Sequence, residues 1–159
     1  MQEYLINLLI AVLAMFVATL GYCLIYNVPL RVLSSCATSA IAGWITYYSI
    51  SKANGNTVAA AFAAAMVIAL ISEILARVVR TPASIILIIG VLPLVPGSQI
   101  YFTIEALMNG QYQRSISVGI ETVGIAFALA MGILIVSTFV QLFFMFKNRW
   151  KKYKAKRSE

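Results

Sequence analysis

Long apolar runs constrain this chain more than any other feature. A helix needs about 20 mostly apolar residues to cross a hydrocarbon core about 30 Å thick. Five stretches meet that need: Leu5 to Tyr26, Val32 to Ile50, Thr57 to Ala76, Ala83 to Met108, and Ser115 to Phe146. Polar or basic punctuation separates them: Asn27–Val28–Pro29 with Arg31, then Lys52 to Asn56, then Thr81–Pro82. The expected fold is an all-α membrane bundle of about five transmembrane helices. Residues 1–146 form the helical domain and 147–159 a basic cytoplasmic tail.

Composition enters as a check on that reading. Hydrophobic residues make up 62% of the 159 and charged residues 11%. A soluble domain carries about 25% charged residues, and a chain this short could not hide the apolar excess. The N-terminus lacks the basic stretch of a cleavable signal peptide, so the first run is expected to remain a spanning helix.

Orientation follows from where the positive charge falls. Seven of the 12 Lys and Arg lie after Phe146: Lys147, Arg149, Lys151, Lys152, Lys154, Lys156 and Arg157. Cytoplasmic flanks carry the excess of Lys and Arg. Five spans with the N-terminus outside and the C-terminus inside put ten basic residues in the cytoplasm and two, Lys52 and Arg114, outside. A re-entrant fourth segment would give eight against four. Trp44, Tyr47 and Tyr48 near one interface, with Tyr22, Tyr26 and Trp150 near the other, fit aromatic belts. The basic tail reads as an anchor on anionic lipid, with nucleic-acid binding as the rival reading. The expected location is the inner or plasma membrane, multi-pass.

The chain has no histidine and no aspartate. That removes His-based metal sites and catalytic triads, and no phosphate-cradling Walker sequence is present. No enzyme activity and no cofactor or metal is expected. Cys23 and Cys36 fall in apolar runs and read as small buried hydrophobes. Ala59 to Ala65 on the third run, and Ser39, Ala40, Ala42 and Gly43 on the second, are small residues that let helices approach closely in lipid. They serve either packing inside the bundle or docking of another subunit.

The fourth run carries the strongest local signal, Leu92–Pro93–Leu94–Val95–Pro96–Gly97–Ser98. Each proline lacks an N–H and clashes with the preceding turn, so two of them with a glycine should interrupt the helix. Ala83 to Leu92 spans about 15 Å, which reaches only the midplane. Unwound backbone at that depth must line a cavity or be covered by protein, and broken helices at mid-depth are a recurrent substrate site in transporters. A second half-helix beginning near Gly97 would aim its positive dipole end at the midplane, where a carboxylate is a natural ligand. The candidate substrate-binding residues are therefore Pro93, Pro96, Gly97, Ser98, Gln99 and Tyr101. A plain packing kink is the alternative.

Three carboxylates need partners, because a charge within the membrane costs about 2.5–3.5 kcal/mol on insertion scales. Glu73 stands four residues before Arg77, the favourable order for a helical pair. Glu105 and Arg114 flank one end of the fourth run and are expected to pair at the surface. Glu121 has no basic residue within a turn, so it must find a partner across the bundle, meet water or be protonated. Glu121 and Glu73 are the candidate proton-coupling residues.

Pro93–Leu94–Val95–Pro96–Gly97 with Tyr101, together with the Thr81–Pro82 turn, resembles the threonine/serine exporter family. Within it the chain is similar to the small YjjB-like subunit, equivalent to the C-terminal membrane domain of the fused exporters. The resemblance runs from the Pro29–Arg31 turn to the fifth run, and departs from the family pattern at Ser98, where a second glycine is expected. It implies a membrane subunit of a two-component secondary exporter of small carboxylate-bearing metabolites, most simply threonine and serine. It also implies a second, larger membrane subunit as partner. A dicarboxylate exporter of the succinate type, or a non-transporting scaffold subunit, are the alternatives.

Overall fold

The computed structural model describes residues 2–156, with side chains described for residues 9–147. The helices are α1 (Gln2–Ile25), α2 (Leu30–Asn54), α3 (Thr57–Val79), α4 (Ala83–Val91), α5 (Gly97–Met108) and α6 (Tyr112–Lys156), with one 3₁₀ turn at Leu92–Leu94. The described residues contain no strand. Two helices are long and apolar enough to cross a membrane, three if α4 and α5 count as one bent span. The basic residues after Lys147 and Trp150 fall outside the described side chains.

Four of the interhelical turns close on a residue with left-handed backbone: Asn27 (φ 55°), Gly55 (φ 65°), Arg80 (φ 55°) and Gly110 (φ 70°). At Asn27, Arg80 and Gly110 the following N–H returns to a terminal helix carbonyl, and at Gly55 its own N–H donates to the Ser51 carbonyl. Val28 N–H donates to the Cys23 carbonyl and Thr81 N–H to that of Ala76, both at 2.9 Å. Such returns satisfy carbonyls that a helix end leaves without partners. Pro29 and Pro82 then start α2 and α4, where a missing N–H costs nothing. The Asn56 side chain caps α3 by accepting from the Ala59 N–H at 3.0 Å.

Helix α3 is the centre of the bundle and packs against α2, α4 and α6; α1 flanks α2, and α5 lies on α6. The alanine run explains this position. Ala60, Ala61, Ala64, Ala65, Ile68 and Ala69 are all fully buried. The small-residue stripe therefore serves packing within the bundle. One core layer joins Ala61, Ala64, Ala65 and Ile68 with Leu94 and with Ile125, Ala128 and Leu129 of α6. A second joins Cys23, Val32, Cys36, Ala76, Ile86 and Ile89. Both cysteines are free and buried. Outside these layers α1 and α6 present Leu13, Val17, Leu24, Ile116, Ile120 and Phe127, the apolar surface that a bilayer covers.

Candidate functional site

The interruption between α4 and α5 is built by its two prolines. Leu92–Leu94 tightens to a 3₁₀ turn with Pro93 near its start. Val95, held before a proline, is extended (φ −61°, ψ 130°). Pro96 (φ −75°, ψ 57°) centres an inverse γ-turn, in which Gly97 N–H donates to the Val95 carbonyl at 2.7 Å. The axes of the two helices differ by 42°. Leu94 lies beside Gly43, the middle of α2, with its Cδ1 3.4 Å from where a Cβ there would stand.

The six candidate residues follow one another around this turn and the first turn of α5. Pro96 is buried and Pro93 half-buried, whereas Gly97, Ser98 and Tyr101 are exposed. No side chain caps α5, whose first residues follow Pro96. Helix geometry leaves the Ser98 and Gln99 N–H groups without an intrahelical acceptor. Ser98 Oγ instead donates to Gln99 Oε1 at 2.9 Å. Tyr101 is 63% exposed and meets Phe102 edge-on, with centroids 5.6 Å apart. The result is a polar helix start on the outside of a single chain.

Glu121 finds its partner across the bundle. Thr57 Oγ1, at the first residue of α3, donates to Glu121 Oε1 at 2.7 Å. The same carboxylate lies within electrostatic reach of Tyr47 on α2. Tyr47 also packs on the core layer containing Leu94. Glu121 stands four residues before Ile125 of that layer, about 6 Å along α6. Thr57 and Tyr47 carry no signal in the sequence: Thr57 is 64 residues from Glu121, and no spacing links them.

Glu73 belongs elsewhere. Its carboxylate pairs with Arg77 at 2.9 Å, and Arg77 also donates to the Glu73 carbonyl. Glu73 and Thr57 are 16 residues apart on α3, so Glu73 and the Glu121 cluster are separated by about 24 Å. The expected Glu105–Arg114 pair does not form. Arg114 donates to Gln111 Oε1 at 3.3 Å, one turn back on its own segment. The short turn through Gly110 folds α6 back along α5, and Ser115 Oγ donates to the Thr103 carbonyl of α5 at 2.9 Å.

An apolar helical bundle with two or three helices able to cross a membrane has the make-up of a membrane protein. Residues 11–139 match the sequence model of the family described as Threonine/Serine exporter, ThrE, and the chain belongs to that family. No curated protein and no solved structure matches it significantly.

Proposed function

We propose that this chain is the small membrane subunit of a two-component secondary exporter of carboxylate-bearing metabolites, with threonine and serine as the leading substrates. Its partner is a second, larger membrane subunit. On this reading α4 and α5 are the two halves of one span, the fourth of five in an inner or plasma membrane, with the N-terminus outside. The substrate carboxylate binds at the start of α5, held by main-chain N–H groups of Ser98 and Gln99 and by the side chains of Ser98, Gln99 and Tyr101. Pro93, Pro96 and Gly97 keep that helix end open. Glu121 carries the coupling proton.

One observation carries the proposal: a polar, uncapped helix start that a single chain leaves exposed at the level of its own core. In hydrocarbon such a group costs several kcal/mol unless protein or water covers it. A second subunit facing α5 would cover it and close a substrate cavity. The experiment is amino-acid efflux from cells expressing both subunits, with Ser98→Ala, Gln99→Ala and Tyr101→Ala. Export should fall at unchanged membrane abundance. Wild-type efflux in all three variants would remove the site.

A further inference from the structure

Helices α3 and α6 approach most closely where their side chains are smallest. A Cβ on Gly132 would stand 2.7 Å from the Phe62 carbonyl oxygen, and Ala61, Ala64, Ala65 and Ala128 are buried around this crossing. Toward the basic end of both helices the side chains become large. Leu70, Ile74, Val78, Phe139 and Phe143 line a groove of about 600 Å³ between α3 and α6. All five are exposed.

Two cations stand at the end of this apolar slot. The Arg77 guanidinium lies 3.8 Å from the Phe144 ring centroid, and the Lys147 ammonium 6.0 Å from the same centroid. Glu73 neutralises part of Arg77, but Arg77 remains 41% exposed, and a guanidinium has further N–H groups to offer. Lys147 is followed by six more basic residues. The slot follows α3 from Leu70 to Val78, about 12 Å, and α6 from Phe139 to Phe144, about 8 Å. The groove is apolar along its length and cationic at one end, which matches an acyl chain below a phosphate.

We infer that this groove binds an anionic phospholipid, with one acyl chain between α3 and α6 and the phosphate on Arg77 and Lys147. Basic pockets between membrane helices are suited to anionic headgroups, and a guanidinium can donate two parallel N–H groups to one phosphate. The inference is independent of the transport reading and of the interrupted helix.

The test is native mass spectrometry of the purified full chain titrated with phosphatidylglycerol or phosphatidylcholine of identical acyl chains. Phosphatidylglycerol should bind about five- to tenfold more tightly. Lys147→Gln should lower that preference about fivefold, since one cation near a surface is worth about that factor. Val78→Trp, which fills the slot without touching a charge, should weaken both lipids. A chain with Gln at 149, 151, 152, 154, 156 and 157 should keep the preference. Equal binding of the two lipids would overturn the site. So would a preference abolished by neutralising the tail but untouched by Lys147→Gln and Val78→Trp, or full competition by soluble glycerol phosphate.

Discussion

Replacing Gly132 with alanine tests whether the α3–α6 crossing sets the geometry of the bundle. The added methyl would stand 2.7 Å from the Phe62 carbonyl oxygen, 2.8 Å from the Ala65 Cβ and 3.3 Å from the Met66 nitrogen. Two of these are backbone atoms of α3 and cannot rotate away. Carbon atoms rest at about 3.5–4.0 Å, so the helices must part by about 0.7 Å or more. Overpacking of this kind costs about 1–3 kcal/mol. The gain in helix propensity, glycine to alanine, offsets up to about 1 kcal/mol. The net expectation is a loss of about 1–2 kcal/mol, read by circular dichroism as the chain is unfolded from mild into denaturing detergent. Adding Ala65→Gly removes the Cβ contact but leaves the carbonyl, so it should restore only part of the loss. Gly97→Ala is the control: nothing lies within 4 Å of its added methyl, and stability should change by less than about 0.5 kcal/mol. A Gly132→Ala chain as stable as the unaltered one would refute the close-crossing argument.

Two further outcomes follow from buried and half-buried polar groups. Ser39 Oγ lies 3.2 Å from Ser72 Oγ and donates to the Ile68 carbonyl at 3.4 Å, all within the core between α2 and α3. Ser39→Ala should destabilise by about 0.6 kcal/mol, the average for such bonds between membrane helices, and by no more than about 1.7; no change in the same unfolding assay would show the bond to be idle. Glu121→Gln should leave the chain folded, because Thr57 can still donate to the amide oxygen, yet flatten the dependence of efflux on external pH. A pH profile identical to that of the unaltered chain would remove Glu121 from proton coupling.

Periodicity and proline chemistry made most of the fold legible. Pro93 and Pro96 forecast the interruption because each removes a donor that no neighbour can replace. The helix limits shifted where side-chain or cap chemistry outlasts hydropathy. Helix α3 continues past Ala76 to Val79, where Arg77 is held by Glu73 one turn back, and α2 continues through Lys52 to Asn54 because Gly55 supplies the left-handed stop. The Glu73–Arg77 pair was readable because both partners lie on one helix. The Thr57–Glu121 bond was not, since it depends on how α3 and α6 are juxtaposed. Glu105 and Arg114 looked like partners in the linear sequence, but the Gly110 turn and the Ser115–Thr103 bond fix α6 in a register that gives Arg114 to Gln111 instead.

The two candidate proton carriers can now be told apart by what surrounds them. Glu73 is held in an ion pair with Arg77, whose guanidinium is also packed on Phe144. Glu121 faces a hydroxyl from Thr57 and the Tyr47 side chain, and no cation contacts it among the described residues. Hydroxyls can donate to a carboxylate or accept from a carboxylic acid, so protonation there breaks no ion pair. Tyr47, within electrostatic reach of Glu121, packs against the core layer that contains Leu94. The proposed transport reading therefore assigns the coupling proton to Glu121, whereas Glu73 lies about 24 Å from the Thr57–Glu121 bond, beside the groove at the basic end of the chain.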